Sequence, residues 1–179
     1  AIGERDNLKA WIDAAGGVTY HNLGQGAWQV DIAVARRPQE HVDAVYDLVL
    51  ALDYGHGMLT PPTIDLLCSE APYLCLNTQS NTGNRGFNPI SKYGRADYVC
   101  LAMHEVEIET RQRDGSALDR SLEITKRIDC PRFTITQGKS GSLHFDAATG
   151  FTEAPAVATR VLDRVGAGDA VFAVTSLLT

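Results

Sequence analysis

The chain of 179 residues carries 16 Lys and Arg against 22 Asp and Glu, a formal net charge of −6, and 44% of its residues are hydrophobic. That is apolar material for one sizeable core in a single domain, and the acidic balance excludes a nucleic-acid surface, which draws on clustered Lys and Arg. No apolar run approaches the roughly 18 residues of a membrane helix and no signal-peptide pattern is present, so no membrane partner is expected. The four cysteines, Cys68, Cys75, Cys100 and Cys130, are widely spaced; that pattern fits reduced, buried thiols in a cytoplasmic protein better than a disulfide framework or a zinc site.

From the start, Asp6 to Ala15 reads as a short amphipathic helix with Leu8, Trp11 and Ile12 on one face, stopped by Gly16-Gly17. Gln29 to Ala35 alternates weakly and is expected to be a strand after the turn Gly24-Gln25-Gly26. Arg36 and Arg37 could contact a phosphate, with an exposed basic pair the plainer reading. Gln39 to Tyr46 is expected to be a helix, and Asp47 to Leu52 an apolar strand covered on both faces. After Asp53-Tyr54-Gly55-His56-Gly57, Thr60-Pro61 opens a helix, because proline suits the first turn.

Further strands are expected at Tyr73 to Asn77 and Tyr98 to Leu101. The three runs start about 25 residues apart, the spacing of βα units, which predicts a parallel sheet. Ligands of such sheets gather beyond the carboxyl ends of the strands, where Asp53, Asn77 and Glu105 fall. The polar loop Thr78 to Tyr93 is long enough to be a lid or a binding loop; Arg85 or Lys92 could meet a phosphate there, with a solvated charge the plainer reading of each. Helices are expected from Glu105 and over Leu118 to Ile128, then a strand over Arg132 to Thr136 and a hairpin formed by Leu143–Asp146 and Phe151–Glu153.

Gly138-Lys139-Ser140 ends like a Walker A loop, but the first glycine that loop needs would stand at Phe133, so that cradle is excluded. The five histidines lack metal-ligand spacing, and no Ser or Cys nucleophile pattern is present. The chemistry concentrates in Gly166-Ala167-Gly168-Asp169, which opens directly into an apolar helix. Such a turn exposes backbone N–H groups at the positive end of a helix dipole, a site for a phosphoryl group, and places a carboxylate against it. The plainer alternative is that Asp169 merely caps the helix.

The wider stretch Val161 to Ala173 resembles the second signature of the ribokinase-like (PfkB) carbohydrate kinases, D-T-T-G-A-G-D followed by a helix with an early Phe. Asp163, Gly166, Ala167, Gly168, Asp169 and Phe172 match, and Arg164 and Val165 stand in place of the two threonines. Three earlier stretches are collinear with the family. Asp53 to Gly57 is similar to the D-Y-x-K-G of its heptose-kinase branch, the kinase domain of ADP-heptose synthase, with His56 for Lys. Ala102-Met103-His104-Glu105 is similar to N-x-x-E, with Ala102 for Asn. Thr136, Gly138 and Gly141 match T-x-G-x-x-G.

The resemblance implies an α/β, ribokinase-like, doubly wound and mainly parallel sheet with helices on both faces and a C-terminal β-hairpin. It implies Asp169 as the base, with the backbone of Gly166, Ala167 and Gly168 as an anion hole. Thr136, Gly138 and Gly141 would border ATP, and Glu105 would act through water on Mg²⁺. A monovalent cation such as K⁺ beside Asp163 and a homodimer also occur among such proteins. The acceptor would be a hydroxyl of a sugar or sugar phosphate; a binding protein of the same fold with impaired catalysis is the alternative. The family's N-terminal Gly-Gly sugar motif and lid have no counterpart here, so residues 1–179 are expected to be one partial kinase domain, either the C-terminal portion or a chain with segments left out.

Overall fold

The computed structural model describes residues 18–24, 27–32, 47–84, 86–157 and 166–179. The helices expected over 6–15 and 39–46, and Arg36, Arg37, Arg85, Asp163, Arg164 and Val165, lie outside the described residues. The chain divides into two compact units, residues 1–46 and residues 47–179. In the first, β1 (Val18–Gly24) pairs antiparallel with β2 (Ala27–Ile32), with a register shift between Asn22 and Gly24. The strand expected from Gln29 is thus the second arm of a hairpin whose first arm, of mixed composition, has no clean alternation.

The second unit is built on six strands: β3 (Val49–Asp53), β4 (Leu74–Thr78), β5 (Tyr98–Ala102), β6 (Arg132–Thr136), β7 (Ser142–Asp146) and β8 (Gly150–Ala154). They lie side by side in sequence order; β3 to β6 are parallel, and β7 and β8 close the sheet antiparallel. The apolar runs that predicted the strands explain the parallel part. All of β4 is buried, and continuous Leu, Val and Cys suit strands covered on both faces.

One face packs on α1 (Pro61–Glu70), α2 (Met103–Thr110) and α3 (Ala117–Leu122) through Ile64, Val106 and the neighbouring Ile124. The opposite face carries α4 (Ala167–Ser176), whose Phe172 stacks on Tyr98 at 6.4 Å between ring centroids and packs with Cys75 and Cys100. Helices therefore cover both faces, as expected. All four cysteines are free, and burial pushes the Cys100 and Cys130 thiols up to about 12, which makes them core residues rather than nucleophiles.

Two boundaries differ from the sequence reading. The helix expected over 118–128 gives way after Leu122 to a 3₁₀ turn, Glu123–Lys126, which drives Ile124 fully into the core. The helix expected from Glu105 starts at Met103, so Glu105 occupies its third position. Pro61 opens α1 as predicted; the other end is closed by Arg95, whose guanidinium donates to the carbonyls of Cys68 (2.7 Å) and Ala71 (2.5 Å) and to Asp97 (2.7 Å). Carbonyls left over at a helix end need such donors.

The β7–β8 hairpin is fastened by Phe133, Phe145 and Phe151, with centroids 4.9–6.1 Å apart. It leaves β6 through a turn whose last residue, Gly141, has φ +91° and ψ −137°, a region open in practice only to glycine. A Cβ there would also collide with the backbone of Ala154, Pro155 and Ala156. Gly141→Ala is expected to cost at least about 2 kcal/mol, lowering Tm by about 4–8 °C, measured by thermal unfolding; a shift under one degree would refute this account of the turn.

Candidate functional site

Parallel strands deliver their carboxyl ends to one edge, so Asp53, Thr78, Ala102 and Thr136 lie along it in that order. Every sequence-predicted site residue among the described residues falls on this edge or at the helix facing it. Gly166 (φ +75°) precedes α4, Ala167 and Gly168 form its first turn, and Asp169 is its third residue. Side chains added at Gly166 or Gly168 would meet nothing within 4 Å among the described residues; a helix start of this kind offers backbone N–H groups to an anion.

Asp169 does not cap its own helix. Its carboxylate reaches across to the sheet: Oδ2 accepts the Tyr54 hydroxyl at 2.9 Å and Oδ1 accepts the Gln79 amide at 2.5 Å. The carboxylate in turn holds the Tyr54 phenol above its ordinary value, first by accepting its hydrogen bond and then with burial and its charge.

Glu105 is one strand away. Its Oε2 accepts the N–H of Ala102 at 2.7 Å and its Oε1 the N–H of Ser80 at 3.1 Å. Asp169 and Glu105 therefore hold adjacent residues of one loop, Gln79 and Ser80. Burial raises the Glu105 carboxyl, the two backbone donors and His104 oppose that, and the Asp169 charge adds to it; the net direction is up. A cation placed here would favour its ionised form. The methyl of Ala102 cannot return the capping bond that an asparagine would offer the helix.

Thr136 pairs with Ala102 in the β5–β6 ladder, and the turn from Gly138 to Gly141 projects beyond it, held by the Gln137 N–H on the Gly141 carbonyl at 2.8 Å. From this turn to Asp169 the edge crosses two to three strand spacings, about 10–15 Å. No group of three or more His, Cys, Asp or Glu able to hold a metal occurs among the described residues. The donor set present, one buried carboxylate with a second nearby, fits an ion that keeps most of its waters and leans on phosphates, which is the habit of Mg²⁺.

Lys92 is not a solvated charge. It pairs with Asp53, which is 5% exposed and also accepts the Tyr93 hydroxyl at 2.7 Å and the Gly55 N–H at 2.8 Å. Sequence reasoning also missed Gln79 and the asparagines of the long loop. Asn84 Nδ2 donates to the carbonyls of both Tyr54 (2.8 Å) and Gln79 (2.9 Å), and Asn88 Nδ2 to those of Asp53 (2.7 Å) and Gln79 (3.3 Å). Asn81 Oδ1 accepts the N–H groups of Gly83 and Asn84, which leaves its amide to donate to Tyr54 O and to His56 Nε2. Four asparagines between positions 77 and 88 were the available signal.

Comparison with known proteins follows the same lines. No family model matches the chain. It is 30% identical over 141 residues to a protein named bifunctional protein HldE from Citrifermentans bemidjiense, and 29% identical over 140 residues to the one so named from Trichlorobacter lovleyi. These alignments take in 74% and 75% of this chain, which spans about a quarter (27%) of the length of each relative. Ribokinase of Arabidopsis thaliana, solved with ribose and ATP, superposes with a TM-score of 0.60 at 14% identity, over 90% of this chain and 55% of its own. The chain has the ribokinase-like fold. Phosphofructokinase-2 of Escherichia coli superposes with a TM-score of 0.58 at 15% identity, over 78% of this chain and 47% of its own, and aminoimidazole riboside kinase of Salmonella enterica with 0.54 at 18% identity, over 73% and 47%. No helix among the described residues is long and apolar enough to cross a membrane.

In this ribokinase-like unit Asp53 ties two loops together, and its charge matters for stability. Burial raises its carboxyl, but hydrogen bonds from Lys92, Tyr93 and the Gly55 N–H and the Lys92 charge outweigh that, so the net direction is down. A folded-state value below the unfolded one adds stability at pH above about 4 and loses it as pH falls through the folded value. Asp53→Asn is expected to cost about 2 kcal/mol at pH 7, and the gap to the parent should narrow below about pH 4. Urea unfolding at both pH values checks this; a gap that widens in acid would contradict the sign.

Proposed function

We propose that the protein is an ATP-dependent kinase acting on a hydroxyl of a sugar or sugar phosphate. The observation that carries this reading is the placement of Asp169 at the open N-terminus of α4, against the carboxyl edge of a parallel sheet that also presents Glu105 and the Thr136–Gly141 turn. The kinase names of the structural neighbours and the similarity to HldE support it.

In the proposed reaction Asp169 accepts the proton of the acceptor hydroxyl while that oxygen bonds to the γ-phosphorus. The bond from γ-phosphorus to the β–γ bridging oxygen breaks, and ADP leaves. Backbone N–H groups of Gly166, Ala167 and Gly168 donate to the charge spread over the transferring group; donors fixed in advance act without reorganisation. Because such a transition state is loose, the base acts late and an ordinary carboxylate suffices. Thr136, Gly138 and Gly141 border the nucleotide, where small residues allow its close approach. Glu105 would hold Mg²⁺ through water, and the ion, when bound, would draw negative charge off the phosphates. The four free thiols support a reducing compartment, the cytoplasm, as the setting of this chemistry.

A second reading, a nucleotide- or sugar-binding protein of this fold without turnover, is favoured by Ala102, which leaves Glu105 without the polar companion of N-x-x-E. ADP release from MgATP with hexoses, heptoses and their phosphates separates the two. The kinase reading expects one sugar to drive turnover and Asp169→Asn to lower kcat by about 10²–10⁴-fold. Saturable ATP binding with no sugar-dependent turnover in the parent would leave the binding protein.

A further inference from the structure

Asp169 is held by two neutral donors, and the loops that carry them are joined to each other. Tyr54 follows β3 and Gln79 follows β4, so each begins the loop that leaves its strand. Their side chains meet the two oxygens of one carboxylate. Their backbone carbonyls meet the two hydrogens of one amide, that of Asn84, which is 6% exposed. A single buried side chain thus fixes the spacing between the two residues that grip Asp169. The Gln79 carbonyl receives a second bond from Asn88, and the Gln79 N–H donates to the Asp53 carbonyl at 2.8 Å. There is no slack in the joint: a Cβ on Gly55 would come within 2.5 Å of the Asn84 amide and 2.9 Å of Asn88.

A carboxylate offers about four lone-pair directions. Tyr54 and Gln79 take one on each oxygen, which stops rotation about the terminal torsion, otherwise broad and roughly two-fold, and leaves a lone pair on each oxygen for another donor. Neither donor carries charge, so among the described residues the carboxylate is oriented without being neutralised by a cation. An acceptor hydroxyl arriving at Asp169 would meet a base already aimed.

We infer that Tyr54 and Gln79 are positioning residues for Asp169, that Asn84 sets the distance between them, and that this clamp aims the carboxylate at the acceptor hydroxyl. The inference rests on the kinase reading for its catalytic meaning, while the clamp itself has a readout that does not need turnover.

The test uses Tyr54→Phe and Gln79→Leu, each alone and with Asp169→Asn. Loss of one hydrogen bond to a reacting carboxylate corresponds to about a 10-fold fall in kcat, with KM for ATP within about 2-fold because the nucleotide turn is elsewhere, and with no further loss in the Asp169→Asn background, since residues acting as a unit are not additive. Separately, ¹³C-labelled tyrosine rings report Tyr54, assigned by the signal missing in Tyr54→Phe. Its titration should lie above the ordinary tyrosine value near 10 and return toward it in Asp169→Asn. A parent that turns over while both single variants keep its kcat overturns the inference alone. A Tyr54 titration unmoved by Asp169→Asn overturns the clamp, whatever the kinetics. A shifted titration with no sugar-dependent ADP release from the parent overturns the kinase reading, and with it the catalytic meaning of a clamp that is then structural only.

Discussion

Four parallel strands covered by helices release their chain at one edge, where the hydrogen bond to the freed carbonyl of Asp53 is buried and those of Asn84 to the carbonyls of Tyr54 and Gln79 are partly so. Each such group costs about 1–3 kcal/mol if left alone, so the loops have to bring donors. The β3 and β4 exits solve this with asparagine: Asn81, Asn84 and Asn88 donate to the carbonyls of Asp53, Tyr54 and Gln79. The asparagines are there because the sheet is parallel and covered, and once they are there the two loops move as one piece. The edge becomes rigid at the place where a candidate base has to be aimed.

Three carboxylates share this edge, and their partners divide them. Asp53 meets the ammonium of Lys92 and lies below its ordinary value, so it behaves as a fixed strut. Glu105 accepts two backbone N–H groups with the His104 ring 3.9 Å away, and burial with the nearby Asp169 charge pushes it up against them. Asp169 is gripped by a phenol and an amide, neutral donors that orient it without consuming its charge. Similar carboxyl groups within one small region thus receive a cation, peptide dipoles and neutral hydrogen bonds, and only the last two sets leave negative charge for a ligand to use.

The apolar runs made the parallel strands legible, because a strand covered on both faces has no choice of pattern, and Pro61, Gly141 and the Phe-rich hairpin announced their own geometry. Phe172 at the start of the last helix found its place against Tyr98. The hairpin of β1 and β2 was half legible, since its first arm does not alternate. In the site, the residues carrying a short motif could be placed from the sequence alone. Tyr54 was noticed for its company in Asp53 to Gly57 and not for its contact, because a partner 115 residues away leaves no local trace. Lys92 looked like a solvated charge for the same reason: nothing near it in sequence shows that Asp53 will be buried beside it.

Ala102 shows how far the edge tolerates change. An asparagine at that position would add a cap to α2 worth about 1 kcal/mol and a polar group beside Glu105. Without it, the Glu105 carboxylate still holds its direction, since its two bonds come from the backbone of residues 80 and 102, which no side-chain substitution removes. What the methyl takes away is a second ligand for water or phosphate, not the position of the acid. Both acids bond to the loop that begins at Gln79 and Ser80, so in the proposed reaction the alanine would bear on the hold of an ion, while the bonds from Tyr54 and Gln79 set the direction of Asp169.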